Sequence, residues 1–165
     1  MSEKSREEDK IKIKKILAAI DGSEKADKAL DHALWLAGKI DAEVEIFNSV
    51  APVSVPAASP AAPGVTGTAY LPGWANTYYE EFREQNKEML EERFTRSKER
   101  FPDLTISKKI VEGKPRLEII RESEENDFDL IVMGSRGLGE LEEIVLGSVS
   151  DAVVNRSKVP VFIVK

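Results

Sequence analysis

The feature that most constrains the fold of this chain is an alternation of short apolar runs with amphipathic stretches. Two of the runs, ILAAI at 16–20 and DLIVM at 129–133, consist almost entirely of aliphatic residues. Such runs are typical of strands that are buried on both faces, as in a parallel sheet. The stretches between runs carry apolar residues at three- and four-residue spacing, which predicts helices.

The predicted elements follow the order β-α-β-α-β-α-β-α-β. Strict alternation implies parallel strands joined by right-handed helical crossovers. A length of 165 residues suits one domain. We therefore expect a single doubly wound α/β sheet, Rossmann-like, with further strands at 44–50, 104–111 and 159–164, and helices at 26–38, 77–100, 115–125 and up to about 156.

Composition excludes several classes of function. The chain has no cysteine and one histidine, His32, which excludes disulfides, cysteine nucleophiles and histidine-rich metal sites. We predict no protein metal site. The net charge is −6, whereas a nucleic-acid binder usually carries a broad basic surface. We therefore expect no nucleic-acid partner.

Two segments differ from the rest in composition. Residues 1–10 are charged, and we expect a flexible tail there, not a signal peptide or membrane anchor. No stretch approaches the roughly 20 apolar residues of a spanning helix, so we expect a cytoplasmic protein without a membrane partner. Residues 51–73 are rich in Pro and Ala and predict a long loop. The folded domain is expected over 11–165.

Glycines and serines are concentrated directly after the fourth predicted strand. Glycines let several backbone N–H groups converge on an anion, and a helix start adds further N–H groups and the positive end of its dipole. Arg136 is a candidate charged contact. The segment therefore predicts a phosphate site, and its small residues are Gly134, Gly137, Gly147, Ser148 and Ser150.

Asp21 is the second candidate, because it directly follows the first predicted strand. In open parallel sheets, ligands bind beyond the carboxyl ends of strands where the winding reverses. If strands one and four are neighbours, Asp21 and the glycine loop face one crevice. A carboxylate there could accept hydrogen bonds from a ribose hydroxyl or an adenine amino group. The alternative is a turn residue that only caps the following helix.

These residues resemble the universal stress protein family. Its signature G-x2-G-x9-G-[ST] is met by the glycines at 134, 137 and 147 followed by Ser148. The run Asp21-Gly22-Ser23 after the first strand and the closing Val159-Pro160-Val161 also resemble the family. The likeness covers about residues 11–165. It implies a five-stranded sheet of order 3-2-1-4-5, a dimer, and bound ATP.

The resemblance also implies a role for each matching position. Residues 19 and 21 would lie against the adenosine, residues 49 and 133 would flank the base, and residue 134 would meet the ribose. The glycine loop and the helix after it would hold the phosphates. Mg²⁺ would be held mainly by the phosphates and not by protein side chains. The implied nucleotide-binding residues are Ala19, Asp21, Ser49, Met133, Gly134, Arg136, Gly137, Gly147, Ser148, Val149 and Ser150.

Three functions stay open at this point. The first is an ATP-binding regulatory protein, a nucleotide-dependent switch in the stress response with an unidentified regulatory protein partner. The second is a slow ATPase or another nucleotide-using enzyme, although no residue is an evident catalytic base. The third is a dimeric interaction scaffold that binds no nucleotide. An apolar strand at a sheet edge favours pairing across a two-fold axis, so we expect a homodimer through residues 159–165.

Overall fold

The computed structural model describes residues 12–52, 73–137 and 146–165. The tail predicted over 1–10 and nearly all of the loop predicted over 51–73 lie outside these ranges. Part of the glycine loop, 138–145, lies outside them too. Within them the chain forms β1 (Lys15–Ala19), α1 (Glu24–Ile40), β2 (Glu43–Val50), α2 (Gly73–Arg100), β3 (Ile106–Glu112), α3 (Pro115–Glu125), β4 (Leu130–Gly134), α4 (Ser148–Arg156) and β5 (Val161–Val164).

The strands form one parallel sheet in the order β3-β2-β1-β4-β5, which confirms the expected topology. The winding reverses between β1 and β4, because the chain proceeds outward from β1 to β3 and then returns to the other side of β1. Ala19, the last residue of β1, lies opposite Phe47 of β2 and Met133 of β4. The carboxyl ends of these three strands therefore meet at one place.

Helices cover both faces of the sheet. On one face, α1 and Leu90 of α2 pack against the even-numbered residues of β1, such as Ile16 and Ala18. On the other face, Ile119 of α3 and Val153 of α4 pack against the odd-numbered ones. The apolar stripe predicted for α1 is buried as expected, and its members are Ala26, Ala29, Leu30, Ala33, Leu34 and Ala37.

Three details differ from the sequence-based expectations. Helix α2 begins at Gly73, four residues before the predicted start, and β3 is shifted from 104–111 to Ile106–Glu112. The apolar residues of the helix predicted over 115–125, Leu117, Ile119 and Ile120, are expected on its core face, but Leu117 is 47% exposed. The buried face of α3 is centred on Ile119, and Leu117 is displaced from it by about 200° because each helical residue turns about 100°.

Strand β5 lies at one edge of the sheet and pairs with β4. Its Phe162 is 43% exposed. Among the helices of the described ranges, none combines the length and the apolar character that crossing a bilayer requires.

Candidate functional site at the carboxyl end of the sheet

A cavity of about 500 Å³ lies at the carboxyl ends of β1, β2 and β4, where the winding reverses. The first turns of α3 and α4 and the middle of α2 complete its walls. The structure brings every predicted site residue to this cavity. Those residues are Ala19, Asp21, Ser49, Met133, Gly134, Arg136, Gly137, Gly147, Ser148, Val149 and Ser150.

The turn after β1 holds Asp21 in place. Gly22 has a φ of 85°, a left-handed conformation that favours glycine. Ser23 then caps α1 by accepting the N–H of Ala26 at 3.2 Å, and Asp21 Oδ1 accepts the N–H of Ser23 at 3.0 Å. Asp21 therefore does have the turn-stabilising role that was the alternative to ligand binding, because one of its carboxylate oxygens supports the start of α1.

The other oxygen of Asp21 faces the glycine loop. A Cβ added at Gly137 would fall directly on Asp21 Oδ2. Strands one and four are neighbours, so Asp21 and Gly137 do share one crevice, as the sequence predicted. A second close approach occurs at Gly134, where an added Cβ would lie 3.0 Å from the backbone carbon of Lys25. Glycine at 134 therefore allows the start of α1 to rest on the end of β4.

The start of α4 points its backbone toward the cavity. Its N-cap is Gly147, which has no side chain to bond the first amides. The first intrahelical bond runs from the N–H of Asp151 to the carbonyl of Gly147 at 2.8 Å. Helix geometry directs the preceding N–H groups, including those of Val149 and Ser150, out of the helix end. This end of the cavity is thus lined by backbone donors.

Ser150 holds the loop rather than offering its hydroxyl to the cavity. Its Oγ lies 2.7 Å from the carbonyl oxygen of Ser135 and 3.0 Å from that of Gly147, so its hydroxyl hydrogen is engaged with the backbone. The Gly147 N–H also bonds Ser135 O, at 2.8 Å. A serine at position 150 of the predicted phosphate site suggests a hydroxyl donor, but the geometry leaves the Ser150 N–H, and not its hydroxyl, as the donor to a ligand.

Positive charge lies beside these amides. Arg136 Nε is buried at the cavity and has no hydrogen-bond partner among the residues that the structure describes. Lys25 Nζ lies 3.5 Å from Ser135 Oγ, one residue before Arg136. A buried N–H donor without an acceptor is costly unless a ligand or water supplies one. The chemistry of this end suits an anion.

The apolar end of the cavity is formed by Phe47 of β2, Met133 of β4 and Ile119 of α3. Val149, in the first turn of α4, packs against the same cluster. Ser49 also lines the cavity, but its hydroxyl donates to the carbonyl of Gly113 at 3.0 Å and so ties the end of β2 to the turn before α3. An apolar end of this kind suits a flat organic ring.

Sequence reasoning missed several residues of the cavity wall. The apolar spacing on α2 indicated a buried stripe but gave no sign that α2 covers the strand ends, because packing between distant elements leaves no local pattern. The missed residues of α2 and α3 are Phe82, Gln85, Asn86, Met89, Pro115 and Ile119.

Asn48 is also a missed residue, and it is the most informative one. It lines the cavity, yet it is 2% exposed. Its Nδ2 donates to the carbonyl of Ile20 at 2.9 Å, while its Oδ1 has no partner in the described ranges. The signal available in the sequence was an asparagine inside the apolar strand predicted over 44–50.

The described ranges hold no cluster of three or more His, Cys, Asp or Glu side chains arranged to hold a metal ion.

Comparison with known sequences shows a match along the whole folded region. The family model for the universal stress protein family matches residues 12–165. Universal stress protein YxiE of Bacillus subtilis (strain 168) is 35% identical over 153 residues, covering 92% of this chain and 98% of its own. Universal stress protein MJ0531 of Methanocaldococcus jannaschii is 34% identical over 154 residues, covering 92% and 82%.

Solved structures share the fold. Universal stress protein UspA from Lactobacillus plantarum superposes with a TM-score of 0.74 at 18% identity, covering 93% of this chain and 99% of its own. A universal stress protein solved in complex with cAMP has a TM-score of 0.65 at 24% identity, covering 93% and 96%. The universal stress protein from Archaeoglobus fulgidus in complex with dAMP has a TM-score of 0.63 at 20% identity, covering 94% and 99%.

Proposed function

This chain belongs to the universal stress protein family, and from that premise we propose that it is a cytoplasmic ATP-binding regulatory protein. ATP would occupy the cavity at the carboxyl end of the sheet, with Mg²⁺ held mainly by the phosphates. Occupancy would alter the conformation of the chain or its choice of protein partner, as a nucleotide-dependent switch in the stress response.

The observation that carries this proposal is the donor-lined end of the cavity. Val149 and Ser150, at the start of α4, and Arg136, whose Nε has no partner among the described residues, all line this end. The N-cap residue Gly147 has no side chain to bond the first amides, so the helix end keeps its capacity for an anion. A triphosphate supplies the oxygens that these donors lack.

The rest of the cavity suits the nucleoside. A volume of about 500 Å³ lies within the range of roughly 300–1,000 Å³ typical of small-molecule sites. Asp21 lines the cavity and would offer its carboxylate to a ribose hydroxyl. The apolar end formed by Phe47 and Met133 would receive the base.

The proposed regulatory output rests on α2. Phe82, Gln85 and Met89 of this helix line the cavity, while most of the glutamate-rich run 80–92 is exposed. A ligand that touches one side of α2 can therefore change the position of a surface that is open to a partner. Such a change requires only that the ligand binds two arrangements of α2 with different affinity.

The test is to purify the protein without added nucleotide, denature it, and identify any small molecule released. Calorimetry with ATP, AMP, cAMP and dAMP would follow, together with a measurement of ATP turnover. The last two ligands are included because proteins of this fold have been solved with them. We expect retained or tightly bound ATP with negligible turnover.

Other outcomes separate the alternatives. Hydrolysis of several ATP molecules per protein would show that the chain is a slow ATPase or another nucleotide-using enzyme and not a switch. An absence of binding at millimolar ATP would leave a scaffold that acts through its surface.

The proposal includes a homodimer through residues 159–165. Its support is the position of β5 at the sheet edge, with the exposed ring of Phe162 beside it. A Phe162→Lys variant should shift the sedimentation coefficient toward that of a monomer. Val154→Lys on α4 is the matched control, because Val154 is 42% exposed against 43% for Phe162. Equal sedimentation coefficients for both variants and the unaltered chain would contradict this interface.

A further inference from the structure

A pair of carboxyl groups connects β2 to α3 in the interior of the protein. Glu45 of β2 and Glu122 of α3 lie within hydrogen-bonding reach of each other. Glu122 is 6% exposed, and Glu45 Oε1 is buried without a hydrogen-bond partner among the described residues. Two ionised carboxylates in contact repel each other and have no donor between them, whereas one proton removes both costs. A shared proton is therefore expected in this carboxyl pair.

The partners of Glu122 assign that proton to Glu45. Lys109 Nζ of β3 lies 2.7 Å from both carboxylate oxygens of Glu122, and Asn126 Nδ2 donates to Oε1 of Glu122 at 2.9 Å. These donors favour the ionised form of Glu122 and fill three of its roughly four acceptor sites. A protonated Glu45 supplies a donor to the fourth.

The charged groups around Glu45 come from three neighbouring elements. Burial raises the pKa of Glu45, and the Glu122 carboxylate of α3 adds to the rise. Lys109 of β3 and Lys15 of β1 lower the pKa of Glu45, but both ammonium groups also bond elsewhere: Lys109 bonds Glu122, and Lys15 Nζ donates to the carbonyl of Asn126 at 2.8 Å. The causes that raise the pKa of Glu45 prevail, so it lies above 4.5.

The carboxyl pair lies next to the wall of the cavity. Phe47 is on the same face of β2 as Glu45, since side chains alternate along a strand, and Ile119 shares the buried face of α3 with Glu122. Phe47 and Ile119 belong to one apolar cluster, and both line the apolar end of the cavity. Helix α3 therefore meets this face of the sheet at two successive places, and the second is part of the cavity.

We infer that the Glu45–Glu122 pair makes the attachment of α3 to the sheet depend on pH: protonated Glu45 holds α3 against β2, and loss of its proton to solvent loosens α3 and the apolar end of the cavity. Ionisation of Glu45 leaves two like charges in contact in a buried place, and separation of α3 from β2 relieves their repulsion. Because Ile119 and Glu122 belong to one helix, this separation also moves Ile119 away from Phe47. The effect on ligand binding rests on the proposed function, whereas the effect on α3 does not.

The lower pH favours the attached form of α3. Below its raised pKa Glu45 is neutral and donates to Glu122, and above that pKa it is ionised. A ligand that requires the packed apolar end binds more tightly at the lower pH. By linkage, binding of that ligand raises the pKa of Glu45 further.

The first test uses the ¹⁵N,¹³C-labelled chain without ligand, between about pH 4.5 and pH 8. We expect the amide resonances of Phe47 and Ile119 to shift with the same midpoint as the side-chain carboxyl carbon of Glu45. Glu45→Gln stays neutral and can still donate to Glu122, so these shifts should disappear. Glu43→Gln, an exposed carboxyl on the same strand, is the matched control and should keep them. Amide shifts that persist in folded Glu45→Gln would overturn the inference. If this variant does not fold, different midpoints for Ile119 and the Glu45 carboxyl in the unaltered chain would overturn it.

The second test measures the affinity for adenosine by calorimetry, because adenosine has no phosphate that titrates in this range. We expect adenosine to bind the unaltered chain on the order of fivefold more tightly at about pH 5 than at about pH 8, and Glu45→Gln to bind it equally at both. Equal affinities in the unaltered chain would overturn the link between the carboxyl pair and the cavity, and would leave the proposed function standing. Failure of both adenosine and ATP to bind at either pH would remove the proposed function, and the amide titration would then decide the effect on α3 alone.

Discussion

The amino and carboxyl ends of the sheet differ in how their polar groups are bonded and in whether a cavity lies beside them. At the amino end, Asp129 has its partners within the chain, since its Oδ2 accepts the N–H groups of Lys14 and Lys15 at 2.7 and 3.0 Å. Lys15 Nζ in turn donates to the carbonyl of Asn126 at 2.8 Å. Glu45 Oε1, in the same half of the sheet, is buried without a partner among the described residues.

At the carboxyl end, Arg136 Nε and Asn48 Oδ1 are buried without a hydrogen-bond partner in the described part of the chain, and both residues line a cavity of about 500 Å³. Because the cavity lies at the carboxyl end, we expect substitutions there to affect binding and substitutions around Asp129 to affect stability.

The helices contain both a paired and an uncapped group near the carboxyl end of the sheet. Arg93 of α2 bonds Asp27 of α1 through two nitrogens, at 3.1 and 2.9 Å, and this paired carboxylate raises the pKa of Arg93. The pair joins the two helices next to the cavity, because Ala26, which precedes Asp27, and Met89, one turn before Arg93, both line it. By contrast, the first turn of α4 begins without a side-chain cap. The ion pair and the start of α4 thus involve separate residues, which can be changed independently.

The largest expected effect comes from Gly137→Val at the carboxyl end. The new side chain would fall on Asp21 Oδ2 and occupy the space where a ligand approaches the backbone. We expect the affinity for ATP to fall on the order of 100-fold, measured by calorimetry. Gly38→Ala is the control, because nothing lies within 4 Å of a Cβ at that helical position. Unchanged binding in Gly137→Val would mean that the ligand does not approach this loop.

The next effect comes from Asp129→Ala at the amino end. The change leaves the N–H groups of Lys14 and Lys15 without their acceptor, so the free energy of unfolding should fall by about 1–3 kcal/mol. Urea denaturation measures it, with the exposed Asp103→Ala as control. Affinity for ATP should not change in either variant. A loss of affinity in Asp129→Ala would show that the two ends are coupled, contrary to the comparison.

The smallest effect is a pH dependence at Glu45, in the amino half of the sheet. Burial raises the pKa of Glu45 above its ordinary value of 4.5, and the neighbouring Glu122 adds to the rise, while Lys109 and Lys15 oppose it. The folded chain therefore holds this proton more firmly than the unfolded chain does. Stability from this group is complete below pH 4.5 and is lost as pH rises through the raised pKa.

Glu45→Gln should remove that dependence. Urea denaturation between about pH 4 and pH 7 should show a smaller loss of stability with rising pH in the variant than in the unaltered chain. Glu43→Gln, an exposed carboxyl two residues earlier on β2, is the control. Parallel profiles for Glu45→Gln and the unaltered chain would mean that the proton of Glu45 does not contribute.

Local patterns in the sequence were sufficient for the order of the elements and for the two halves of the site. The apolar run at 16–20 marked β1, and the glycine spacing marked the loop after β4, because both features are local. The cavity wall contributed by α2 could not be found this way, since its role depends on which elements pack together. The exposed Leu117 shows the same limit, because the sheet determines which face of a helix is buried.

The most direct test of the central claim is a titration of ¹⁵N-labelled protein with Mg-ATP and, separately, with adenosine, followed through the backbone amide resonances. The account predicts that ATP shifts the amides of Gly137, Val149 and Ser150 strongly. Adenosine, which lacks phosphates, should instead shift residues at the apolar end, including Phe47 and Met133. Shifts confined to other parts of the chain, or no shifts at millimolar ATP, would contradict the claim that backbone amides at the carboxyl end of the sheet hold the phosphates.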